Sequence, residues 1–207
     1  MLQDGVLTGI EAVVFDMDGT LTESNLDFER IRVDCGAPPG QPVLEYMEEI
    51  PDRERQRVEA VLTSHERRAA RECRMREGAM ETVHELRRRG YKTALLTRNS
   101  AESVRTVLRR FPLQFDCWVN REHSRPKPSP EPVLKIARSL GVPPERLLVV
   151  GDYVFDVQAG HAAGSRTAFV VTERGVEPPA ESDLVLESLA DLPDRLSQSV
   201  PTAGGDK

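Results

Sequence analysis

Short apolar runs separated by helical patterns recur along this 207-residue chain, and that alternation constrains its fold more than any other feature. Residues 11–15, 92–97, 147–150 and 167–171 are β-rich stretches of strand length; 117–119 is a weaker one and 183–186 a sixth. Between them, residues 77–89 carry Met80, Val83 and Leu86 on one helical face and stop at Gly90. Residues 99–110 set Asn99 and Glu102 in capping-box spacing, with Val104, Val107 and Leu108 on one face. A helix over 130–140 starts after Ser129 and stops at Gly141, and 156–163 is a short helix rich in small residues. Strands alternating with helices predict an α/β fold, a doubly wound, Rossmann-like parallel sheet with right-handed crossovers and helices on both faces.

The rhythm breaks between residues 23 and 76, which contain no strand-like run. Short helical patterns at 27–34 and 43–50 are split by Gly36-Ala37-Pro38-Pro39-Gly40, and a long charged helix runs from 52 to about 76. The expected organisation is a discontinuous core domain (1–22 and 77–197), an inserted helical domain (23–76) and a flexible tail (198–207). Arg67, Arg71 and Arg74 share a face of the long helix beside Arg68. They make either a cationic surface for an anionic ligand or a solvated face laced with ion pairs.

Hydrophobic residues at 39% and charged residues at 30% describe an ordinary globular protein. Every apolar run is too short to span a membrane, and residues 1–10 lack the pattern of a signal peptide. Cys35, Cys73 and Cys117 are odd in number and widely spaced, which suits reduced thiols in a cytoplasm. A net charge of −6 argues against nucleic acid as a partner. Of the 28 basic residues only Lys92, Lys127, Lys135 and Lys207 are lysine, so a lysine in an unusual place is informative.

Four polar clusters follow the expected strands: Asp16, Asp18 and Thr20; Thr97-Arg98-Asn99; Arg125-Pro126-Lys127-Pro128; and Gly151-Asp152 with Asp156. In a doubly wound sheet the carboxyl ends of the strands share one edge, where ligands bind. Massed carboxylates repel one another unless a cation sits among them, and all-oxygen ligands select a hard ion such as Mg2+. Lysine, threonine and the start of the helix near Asn99 suit phosphate oxygens. His65, His84 and His161 lie in helical patterns and His123 has no accompanying serine motif, so no serine–histidine pair is evident. Attack by a carboxylate on phosphorus is the economical chemistry.

Asp16-Met17-Asp18-Gly19-Thr20-Leu21 resembles the first motif of the haloacid dehalogenase superfamily, D-x-D-G-T followed by Leu or Val. Leu95-Leu96-Thr97 with Arg98-Asn99 is similar to its second motif, Lys127 to its third, and Gly151-Asp152-Tyr153-Val154-Phe155-Asp156 to its fourth, G-D-x-x-x-D. The resemblance implies Asp16 as nucleophile and metal ligand. Asp18 is implied as general acid and base and as a ligand through its carbonyl. Thr97, Arg98 and Asn99 would bind the phosphoryl group, and Lys127 would neutralise charge. Asp152 would complete a magnesium site, with Asp156 as a supporting ligand or an orienter of Lys127.

An acid at Asp18 favours phosphoryl transfer over dehalogenation, and residues 23–76 contain no lysine for phosphonate-type Schiff-base chemistry. The insertion resembles the helical C1 cap of phosphoglycolate-phosphatase-like members. The expected function is thus magnesium-dependent hydrolysis of a small phosphorylated metabolite. A sugar phosphomutase and a non-catalytic phosphate-binding protein are the alternatives, and monomer and homodimer stay open.

Overall fold

The computed structural model of the protein describes residues 7–23, 26–172 and 175–197. The chain divides into two compact units, one of residues 1–23, 75–98 and 113–207 and one of residues 24–74 and 99–112.

The first unit holds six strands: β1 (Ala12–Phe15), β2 (Lys92–Leu96), β3 (Cys117–Val119), β4 (Leu147–Gly151), β5 (Arg166–Val170) and β6 (Leu184–Leu186). They form one all-parallel sheet in the order β3-β2-β1-β4-β5-β6. β1 is central, with Val14 paired to Ala94 on one side and to Val149 on the other. Progression along the chain runs outward from β1 to β3 in one direction and from β4 to β6 in the other. The strand order therefore switches at β1 and β4, the point at whose carboxyl ends doubly wound sheets bind their ligands.

Both faces of the sheet are covered, which is why β1 and β4 read as continuous apolar runs and are buried throughout. On one face Ala12, Val14, Ala94, Leu96 and Val149 pack with residues of α6 (Glu131–Leu140) and α7 (Val154–Ala163), among them Val133, Ile136 and Ala159. Val13 and Phe15 project to the opposite face. There α4 (Ala79–Arg88) packs against β2, and α8 (Leu192–Ser197) against α4, with Val83, Leu86 and Leu192 fully buried.

The second unit is helical: α1 (Phe28–Cys35), α2 (Val43–Glu49), α3 (Asp52–Glu72) and α5 (Ala101–Arg110). Its own apolar cluster is built from Ile31, Cys35, Met47, Val58 and Leu62. Asp27 caps α1 by accepting from the Arg30 N–H at 2.9 Å. Polar contacts tie α5 to α3: Arg67 pairs with Glu102 at 2.6 Å, Arg110 donates to the Ala70 carbonyl at 2.8 Å, and buried Glu66 accepts from the Ser100 N–H at 3.1 Å. Of the shared arginine face, Arg67 is thus ion-paired, and Arg68 donates to His65 Nδ1 at 3.2 Å.

Three local expectations change. The long helix ends at Glu72, not near 76, because the chain leaves it to pair Met75 with Thr22 in an antiparallel bridge. The cap of α5 is Ser100, whose hydroxyl accepts from the Ser103 N–H at 3.4 Å, not Asn99. α7 begins two residues early, at Val154. The expected tail over 198–207 lies outside the described residues. Cys35, Cys73 and Cys117 are free thiols, and no helix among the described residues is long and apolar enough to cross a membrane.

Candidate active site

Asp16 is the first residue beyond β1, and its N–H donates to the Val150 carbonyl of β4 at 2.9 Å, which fixes it at the switch point. The next residues fold back on themselves. The N–H groups of Leu21 and Thr22 both donate to the Met17 carbonyl, at 3.0 and 2.8 Å, and Gly19 donates to the Thr22 carbonyl at 2.8 Å. Gly19 has φ +89°, and a Cβ there would lie 2.1 Å from Asp152 Oδ2. Only glycine allows this turn and this close approach of the Asp152 carboxylate. Thr20 then donates its hydroxyl to Asp152 Oδ1 at 2.7 Å. Asp18 lies in the same turn and is half-buried.

A second glycine plays the matching part at the end of β4. A Cβ on Gly151 would meet Asp156 Cγ at 2.1 Å, so its absence lets the first turn of α7 fold its acid over the strand end. Asp156 Oδ2 accepts from the Tyr153 N–H at 3.2 Å, an N-terminal capping contact. Its other oxygen, Oδ1, accepts from Lys127 Nζ at 2.5 Å.

Lys127 stands in the loop after β3, with a cis peptide bond to Pro128, and is 3% exposed. Its ammonium also donates to Asp16 Oδ1 at 2.5 Å and to the Leu96 carbonyl at 3.4 Å. One lysine, from the loop after β3, thus joins Asp16 beyond β1, the end of β2 and the first turn of α7. One oxygen each of Asp16, Asp152 and Asp156 lie within 4.8 Å of one another.

The electrostatics are those of a crowded, dry acidic site. Burial holds Asp16 well above its ordinary pKa; Lys127 pulls it back, and Asp156 and Asp152 push it up again. Asp152 is raised mainly by burial, against the Thr20 hydrogen bond. Burial would lower Lys127, but Asp156 and Asp16 overcome it and hold the ammonium above its ordinary value. Three ionised carboxylates against one ammonium leave a surplus of two negative charges. A divalent cation with a preference for oxygen fits that surplus and that donor set.

The remaining expected residues are placed as follows. Thr97 is buried directly after β2, its N–H donating to the Val119 carbonyl at 3.1 Å. The Arg98 guanidinium donates to the Lys127 carbonyl and lies over the Phe155 ring, 4.8 Å from its centroid. It braces the lysine loop against the start of α7. Asn99 is buried and begins the second segment of the helical unit. The sequence alone singled out neither Phe155 nor Arg76, whose charge also acts on Asp152. Arg76 sits at the end of an arginine-rich stretch, where nothing distinguishes it from its neighbours.

Residues 10–164 match the haloacid dehalogenase-like hydrolase family, and the chain belongs to it. Among relatives, the pyrophosphatase PpaX of Anoxybacillus flavithermus is 32% identical over 206 residues, 88% of this chain and 95% of that protein. The structure of CbbY from Rhodobacter sphaeroides, solved in complex with phosphate, superposes with a TM-score of 0.68 at 26% identity, covering 88% of this chain and 96% of that one. A hydrolase from Pseudomonas syringae shares the fold with a TM-score of 0.77 at 20% identity, over 92% of this chain and 100% of its own.

Proposed function

We propose that this protein is a magnesium-dependent phosphatase that hydrolyses a small phosphomonoester through an aspartyl phosphate on Asp16. The observation that carries this reading is the buried Lys127 ammonium held between Asp16 and Asp156, with Asp152 completing an acidic triad.

In the first half-reaction an Asp16 carboxylate oxygen attacks phosphorus and the bond to the leaving oxygen breaks. Asp18 gives that oxygen its proton. In the second, Asp18 takes a proton from water as the water attacks phosphorus. The bond to Asp16 breaks and phosphate leaves. Lys127 offsets charge on the nucleophile and on the phosphoryl oxygens. The Thr97 hydroxyl, the Arg98 N–H and Asn99 hold the phosphoryl group. The Arg98 side chain is taken up by the Lys127 carbonyl and Phe155, so Arg98 contributes through its backbone. Asp16, the Asp18 carbonyl, Asp152 and Asp156 would hold Mg2+, which when bound supplies charge neutralisation and polarises the phosphoryl group.

The helical insertion serves as a C1-type cap that selects the leaving group. A substrate of the phosphoglycolate kind is our first reading. Inorganic pyrophosphate is a second, favoured by the pyrophosphatase relative that aligns over nearly its whole length. The three free thiols suit a reducing compartment such as the cytoplasm. With Mg2+, the wild type is expected to release phosphate from a generic aryl phosphate and Asp16→Asn to release none; equal rates would remove Asp16 as nucleophile.

A further inference from the structure

One cation beside the acidic triad has no role in this scheme. Arg76 is drawn against the loop that carries Asp16 and Asp18, since its N–H donates to the Leu21 carbonyl at 2.9 Å and Met75 pairs with Thr22. The same loop packs Gly19 onto Asp152 and sends the Thr20 hydroxyl to it. The side chain is half-buried, and its Nε is fully buried without a hydrogen-bond partner among the described residues.

Several other arginines of this unit are engaged. Arg87 pairs with Asp116 at 2.9 Å, Arg89 with Glu85 at 2.5 Å, and Arg166 with Asp183 at 3.0 Å; Arg146 pairs with Glu11, and Arg98 is held by Lys127 and Phe155. Asp152 feels the Arg76 charge as a lowering influence, smaller than burial, the Thr20 hydrogen bond, Asp156 and Lys127. The guanidinium is thus near the triad but is not consumed by it. A desolvated guanidinium donor with no acceptor is costly, and its planar fork matches a carboxylate or a phosphate.

We infer that Arg76 is a specificity-determining residue: it receives a second anionic group of the substrate, so the favoured substrates carry a carboxylate or a second phosphate close to the phosphoryl group that is transferred. This rests on the phosphatase reading for its reaction, and it adds the substrate class and the residue that selects it. Lys127 cannot serve this purpose, because its ammonium is already shared by two carboxylates.

The test measures affinities for orthophosphate, pyrophosphate and 2-phosphoglycolate by calorimetry with Mg2+, in the full chain carrying Asp16→Asn to prevent turnover. With Arg76 intact, pyrophosphate or phosphoglycolate is expected to bind more tightly than orthophosphate. Adding Arg76→Gln is expected to cut that preference by roughly tenfold to a hundredfold. The compound whose preference collapses tells a phosphate from a carboxylate. Arg76→Lys, which keeps the charge and loses the fork, is expected to retain part of it and serves if the glutamine variant does not fold. An unchanged preference, or equal loss of affinity for all three anions, overturns the inference and leaves Arg76 as a counter-ion of Asp152. Aryl phosphate turnover by the wild type judges the phosphatase reading separately, since the affinity ratios do not depend on turnover.

Discussion

At the scale of single residues, Lys127 is the pivot, a buried cation whose two carboxylate partners come from opposite sides of the strand switch. Removing one member of such a set strands the others in a dry site. Lys127→Met is expected to lower stability at neutral pH by about 3–5 kcal/mol, read from urea unfolding. Its phosphate release should fall by roughly a hundredfold to a thousandfold. Protonation offers a second handle. Burial first, and then the neighbouring acids, raise Asp16 and Asp152 in the folded protein. A carboxyl raised on folding stabilises below its unfolded pKa, and that contribution is lost as pH climbs through the folded value. Mg2+ competes with those protons. The rise in melting temperature produced by Mg2+ is therefore expected to be larger at about pH 8 than at about pH 5. Equal rises at both would show that protons do not compete with Mg2+ for these acids above about pH 5.

Among the elements, two glycines decide how strand ends meet their carboxylates. Gly151→Ala puts a methyl into Asp156. It is expected to cost most of the activity, through displacement of Asp156 from Lys127, with a far-ultraviolet spectrum like the wild type. Ser100→Ala, which removes the α5 cap, is expected to cost about 1 kcal/mol in thermal unfolding.

Much of this level was legible beforehand. The apolar runs located the strands to within a residue or two, most sharply for β1 and β4, which are covered on both faces and hold no polar position. The polar clusters directly after β1, β2 and β4 were visible for the same reason, being abrupt ends to apolar runs. Helix ends were less legible. Asn99 and Ser100 are both good caps, and only the backbone path selects Ser100. The charged stretch to residue 76 continues a helical pattern, but pairing of Met75 with Thr22 ends the helix at Glu72. That competition involves residues more than fifty positions apart, and no local pattern contains it. The same holds for the grouping of α5 with α3, made by Glu66, Arg67 and Arg110.

At the scale of the whole molecule, the strand order does the assembling: Asp16 and Asp152 lie far apart in sequence and meet because β1 and β4 are neighbours at the switch. The apolar core behind that edge sets its rigidity. Ile136, fully buried on α6, is expected to cost about 2–5 kcal/mol when cut to alanine. The central claim is the covalent one, and it is tested most directly by stopping turnover of an aryl phosphate in acid and mapping the phosphoryl group by mass spectrometry. The account predicts a phosphoryl group on Asp16, formed only with Mg2+ and absent from Asp16→Asn. A phosphoryl group on another residue, or steady Mg2+-dependent turnover by Asp16→Asn, would contradict it.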